Sequence, residues 1–142
     1  MGMLRTAIFI LFSLALSIFD IKMLKVPVVI LFAQLISLAA FDFLFFKNRM
    51  LSNSLGATGC FSVLLMTYFL TKRNIGFGDV GFGLSVGWFL GDWLWIPALF
   101  LASLLGIGFI LSKRQCIQCK RIPFVPFVAF SSLCVDFFSN TD

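Results

Sequence analysis

An all-α, polytopic membrane protein of about six transmembrane helices is the fold class this sequence predicts. Three observations predict it. Hydrophobic residues make up 61% of the 142 and charged residues 12%, with twenty Phe and no Glu or His. The mean hydropathy is +1.07. The apolar residues fall in long stretches separated by short charged or Pro/Gly breaks. Lipid, not water, is the solvent for such a chain. At roughly 20 residues per span, six helices use nearly all of it. Residues 1–142 are therefore read as one membrane domain, with no soluble domain beside it.

The elements follow in order. Residues 4–19 are apolar and give a first helix over 3–20. Arg5 is a thin basic flank and no small-residue cleavage site follows, so this stretch is a span and not a cleaved signal peptide. Pro27 opens a second helix, 27–46, which runs to Lys47. The third, 53–71, ends against Lys72 and Arg73, and the fourth, 79–95, starts at Asp79. Asp92, Trp93, Trp95 and Pro97 mark a tight interfacial turn into a fifth helix, 96–112, because Trp favours the headgroup level and Pro suits a helix start. The sixth covers 123–138, and no internal repeat interrupts the series.

Basic residues collect on the cytoplasmic side of spanning helices. The breaks after helices one, three and five hold Lys22, Lys25, Lys72, Arg73, Lys113, Arg114, Lys120 and Arg121, eight of the eleven basic residues. The other side holds Arg5, Lys47 and Arg49, so both termini are expected outside. The same parity puts Asp20, at the end of helix one, and Asp79, at the start of helix four, on the cytoplasmic face at similar depth. A carboxylate at the edge of a span is costly unless something uses it. Two on one face point to a shared task.

Missing residues narrow that task. Without His there is no Ser-His or Cys-His nucleophile pair, and the commonest nitrogen ligand of zinc is gone. An aspartyl pair remains. Two carboxylates sharing a water in a low-dielectric site cannot both ionise cheaply, so one keeps its proton while the other acts as base. The pair titrates as a unit, and the sequence does not assign the roles. In peptide hydrolysis the ionised partner takes a proton from the attacking water, and the protonated one donates to the developing oxyanion. That chemistry calls for no metal and no cofactor. Gly76 and Gly78, in Gly76-Phe77-Gly78-Asp79, suit a backbone that bends sharply and lets a substrate strand come close. Taken singly, Asp79 also reads as a helix N-cap and Asp20 as a solvated carboxylate at headgroup level. Their pairing on one side favours the joint reading.

Three blocks, in order, make the chain resemble the type IV prepilin peptidases, membrane aspartyl proteases with a Gly-x-Gly-Asp motif. The first is Asp20 followed by Ile21-Lys22-Met23-Leu24-Lys25-Val26-Pro27, similar to that family's Asp, basic linker and Ile-Pro. The second is Asn74-Ile75-Gly76-Phe77-Gly78-Asp79-Val80, with a glycine-studded helix after it that ends in Gly87-Trp88-Phe89-Leu90-Gly91. The third, Arg121-Ile122-Pro123-Phe124-Val125-Pro126-Phe127-Val128-Ala129-Phe130, looks like the Ile-Pro-Phe-Gly-Pro segment that opens the family's last helix. The resemblance implies that Asp20 and Asp79 are catalytic, and that Gly76, Gly78, Pro27, Pro123 and Pro126 are motif or substrate-positioning residues. Three departures stand beside it: Gly81 where the family usually has Lys, Val28 where Asn or Asp is usual, and Val125 in place of Gly. They spare both carboxylates and bear on substrate positioning. Long members also carry an N-terminal cytosolic domain with paired Cys-x-x-Cys motifs, linked to methylation of the new N-terminus. That activity is not carried over to this chain.

Other features have plainer readings. Cys116-Ile117-Gln118-Cys119 is half a zinc site, but with no His, and with Cys60 and Cys134 inside spans, a reduced cytoplasmic pair is favoured over bound zinc. A zinc bridge between two copies stays open. Gly83, Gly87 and Gly91 form a small-residue packing stripe, which would also hold Asp79 near helix one. Phe43, Phe45 and Phe46 read as lipid-facing bulk.

The resulting expectation is a multi-pass aspartic endopeptidase of the bacterial plasma membrane that removes the leader of a prepilin or pseudopilin at the cytoplasmic face. The lipid bilayer is its second partner, no nucleic acid is expected, and a homo-oligomer stays open. Two alternatives stand: another Gly-x-Gly-Asp protease acting on membrane helices, and a small transporter or assembly factor whose aspartates bind a cation or protons. Transport predicts acids near mid-bilayer, whereas these two sit at an edge.

Overall fold

The computed structural model describes residues 2–23, 27–71, 76–112 and 124–139. Among them are six α-helices: α1 (Gly2–Met23), α2 (Val28–Phe45), α3 (Met50–Leu70), α4 (Phe77–Leu90), α5 (Trp95–Ser112) and α6 (Val125–Ser139). Number and order agree with the sequence reading. Met3–Lys22, Val28–Phe45 and Lys47–Leu70 are long and apolar enough to cross a membrane. Phe77–Leu90, Trp95–Phe109 and Val125–Ser139 are shorter apolar helices.

Two boundaries depart from expectation for local reasons. A 3-10 turn at Lys47–Arg49 runs directly into α3, so the helix starts at Met50 and Asn53 lies inside it. At the other boundary, Gly91 takes φ 72° and ends α4 at Leu90. This is the left-handed backbone that glycine supplies at helix C-termini. Pro97 then falls in the first turn of α5, where a missing N–H breaks no helical hydrogen bond.

Packing is organised around α4, which lies most extensively on α3 and also touches α2, α6 and α5, while α1 lies on α2 and α6. A Cβ added at Gly87 would stand 2.7 Å from Ala57 Cα, and one at Gly56 would stand 2.6 Å from the Gly87 carbonyl oxygen. The glycine stripe therefore acts as the packing device the sequence suggested, and the helix it seats α4 on is α3. Close backbone approach of this kind is how helices gain contact in lipid, where no hydrophobic force drives them together. α1 meets α4 through rings instead: Phe9 stacks on Phe89 with centroids 4.1 Å apart and lies 6.3 Å from Phe82. Those three are buried, whereas Phe43 and Phe45 are exposed. Phe46 is half-buried against Phe41.

The end of the bundle where α1 begins and α2 and α4 finish is closed by one carboxylate. Asp42 has no exposed surface. Its Oδ2 accepts hydrogen bonds from Asn53 Nδ2 at 2.7 Å, Trp88 Nε1 at 2.9 Å and the Arg5 guanidinium at 3.2 Å. Arg5 Nε lies 3.0 Å from Asp42 Oδ1, and Arg5 also donates to the Trp88 carbonyl at 3.1 Å. Four helices are pinned at this point. At the same end Thr6 Oγ1 donates to Asp136 at 3.2 Å, tying α1 to α6.

Candidate active site

Asp20 and Asp79 stand at the opposite end, where α1 finishes and α4 and α6 start. Helical periodicity sets the first of them: Phe9, Ser13, Leu16, Ser17 and Asp20 share the buried face of α1. Asp20 is 5% exposed. Its Oδ2 accepts the Val125 N–H at 3.2 Å, and the Phe124 N–H also donates to the carboxylate. The first N–H groups of a helix have no intrahelical acceptor, and a negative charge there is favourable. Asp20 thus caps α6 from a distant part of the chain. Pro126, second in α6, has no N–H to satisfy.

Asp79 is the third residue of α4, after an N-cap at Gly76 with φ −67° and ψ 136°. Its carboxylate folds back toward the Gly76 backbone. Asp79 is therefore not the N-cap itself, which is Gly76. A Cβ at Gly76 would lie 3.0 Å from Asp79 Oδ2, so a side chain there would crowd the carboxylate. This is a local reason for glycine at 76.

The two carboxylates come close enough to repel each other electrostatically. Among the described residues the ion pair is Arg5–Asp42, and neither Asp20 nor Asp79 takes a cationic side chain. Asp20 is buried and Asp79 half-buried, so the pair has one member inside the bundle and one toward the rim.

The other residues singled out from the sequence sort as follows. Pro27 is the N-cap of α2, its carbonyl accepting the Ile30 and Leu31 N–H groups at 3.1 and 3.3 Å. Gly78 lies in the first turn of α4, next to Asp79. Pro123, Cys116 and Cys119 lie outside the described residues. Val125 loses its character as a departure at Asp20: its N–H makes the contact, which any residue except proline supplies, and its side chain is buried. Sequence reasoning weighed the prolines of this block and missed the amides between them. The available signal was a proline inside a helix's first turn, which singles out the preceding amides as free donors. It also passed over Arg5 and Asp42 as a pair, although both are charges inside apolar runs.

The sequence profile of the type IV leader peptidase family matches residues 7–111. The chain belongs to that family. The matched residues include Asp20, Asp79 and the 76–79 motif and stop before α6, so the third block of the resemblance lies outside them. No curated protein and no solved structure matches the chain. At the family level this leader peptidase relative is a protease in a membrane setting.

Proposed function

We propose that this leader peptidase relative is an aspartic endopeptidase with Asp20 and Asp79 as its catalytic pair. It removes the leader of type IV prepilins or pseudopilins at the cytoplasmic face of the bacterial plasma membrane. What supports the reading is the placement of two acids, one from α1 and one from α4, at one end of an apolar bundle, with no ion pair to either among the described residues. In this scheme one carboxylate, ionised, takes a proton from a water as it attacks the scissile carbonyl. The other, protonated, donates to the carbonyl oxygen as charge develops, and later steps return the proton to the departing amine. The amides of Phe124 and Val125 hold Asp20 in position, and Gly76 leaves room for Asp79.

The bilayer crossings of all six helices, and the cytoplasmic placement of the aspartate end, belong to this proposal and rest on the basic-residue asymmetry. The test is leader cleavage in membranes and in detergent. Asp20→Asn and Asp79→Asn should each abolish it while the protein inserts and folds normally. Retained cleavage in either variant would remove the aspartyl pair from the mechanism.

A further inference from the structure

Between α2, α3 and α4 lies a groove of about 230 Å³. Its lining includes Val28 and Phe32 from α2, Phe61 from α3, and Phe77, Gly81 and Ser85 from α4. Ser85 is the one lining residue with a polar side chain, and it is 1% exposed, so the groove offers an apolar surface. Val28, Phe32 and Phe77 form open lips, each more than half exposed. The groove begins in the turn of α4 that carries Asp79 and extends to Ser85, about 12 Å along the helix axis. Its volume falls below the roughly 300–1,000 Å³ of pockets that enclose a free small molecule. It suits one or two large side chains projecting from a longer partner.

Two residues apart on a helix, Gly81 and Asp79 lie on nearly opposite sides of α4. A peptide reaching from the carboxylates to the groove therefore crosses the start of α4, where Gly76 and Gly78 carry no side chain and Phe77 between them forms a lip of the groove. Val28 and Gly81, two of the positions at which the chain departs from the resemblance, both line this groove. We propose that the groove receives the apolar stem of the peptide substrate just beyond the scissile bond, and that Gly81 sets the size of the side chain it admits. The proposal rests on the protease reading above. An acyl chain would fill the same surface, but only a peptide joins it to the carboxylates.

The test compares two leader-bearing peptides that differ only in having large apolar residues or alanines in the first two turns of the stem. Gly81→Leu fills the groove, because a Cβ at 81 already stands 3.2 Å from Leu31 Cδ1, and leucine favours the helix. It should lower kcat/KM for the large-stem peptide about tenfold or more through KM, and leave the alanine peptide nearly unchanged. Phe61→Ala, which opens the opposite wall, should shift preference toward larger stems. Equal effects on both peptides, or none, would overturn the proposal. A benzoylphenylalanine at position 32, read in an Asp79→Asn background, reports stem binding without turnover. Capture of the stem there, with a wild-type chain that cleaves nothing, supports the groove and removes the protease reading. Wild-type cleavage with capture only of lipid, or of a second copy of this chain, removes the groove and leaves the protease.

Discussion

The two ends of the bundle hold the same side chain in opposite company. Asp42 is fully buried and surrounded by a guanidinium, an indole N–H and a carboxamide, all donors supplied by side chains. Asp20 is nearly as buried, yet takes backbone amides of α6 and faces a second acid across the site. A charge enclosed by donors is stabilised in place and has little left to offer a ligand. A charge held by amides beside a like charge is kept under electrostatic tension that only a proton, a water or a substrate relieves. On the proposed function, burial does not separate structure from chemistry in this bundle; the identity of the partners does.

The largest expected effect tests that division directly. On the proposed mechanism, Asp20→Asn or Asp79→Asn removes a general acid or base and should reduce leader cleavage by roughly 10²–10⁴-fold or more. Thermal stability should stay level or rise, since a buried acid and its repulsion from the other are lost. Asp42→Asn should do the reverse. Cleavage per folded molecule should be near wild type, while stability falls by about 3–5 kcal/mol because Arg5 is left buried without its counter-ion. Replacing both partners, Arg5→Met with Asp42→Leu, should recover only part of that loss, because the Asn53 carboxamide and the Trp88 indole N–H then lose their acceptor. Denaturation in detergent micelles, paired with activity corrected for folded fraction, measures both quantities. An Asp42→Asn chain that is fully folded and inactive would erase the distinction between the two ends.

Much of this contrast was visible in the sequence, and the rest was hidden for one physical reason. Charged residues are rare in an apolar chain, so most helix ends and the placement of Asp20 and Asp79 at the ends of α1 and α4 could be read from them. Which face of each helix is interior could not. In water an amphipathic stripe separates core from surface, but in lipid both faces are apolar and the pattern disappears. Phe9 and Phe43 are the same residue in similar apolar surroundings, one fully buried and one exposed. The same loss of pattern hid the partner of the glycine stripe, legible as a packing device but not as one that faces α3. Asn53 was hidden differently: the sequence reading began the third helix there, and only the continuous turn from Lys47 carries it inside, within reach of Asp42.

A smaller effect separates packing from either end. Gly87→Ala puts a methyl group against the Gly56 and Ala57 backbone, where no flexible side chain can yield. It should destabilise by about 1–3 kcal/mol, the usual range for overpacking. Because α4 carries Asp79 at its first turn and Trp88 at its last, both ends should feel the shift. A loss of stability with unchanged cleavage would show that α4 can move on α3 without disturbing the aspartates.

The smallest expected effect lies midway between the ends. Gln34 is fully buried, donates to Ser13 Oγ at 3.3 Å, and leaves its Oε1 without a partner among the described residues. Gln34→Met removes a long hydrogen bond and an unsatisfied acceptor together, so the two changes oppose each other. The net change should be about 1 kcal/mol or less, in keeping with the modest worth of polar contacts between membrane helices. Ser13→Ala removes the one partner and leaves the whole amide buried and unpaired, which should cost about 1–3 kcal/mol. The asymmetry is the informative quantity. If Gln34→Met proves as damaging as Asp42→Asn, the amide is a third anchoring point between α1 and α2. Polar strength would then run through the bundle instead of gathering at its ends.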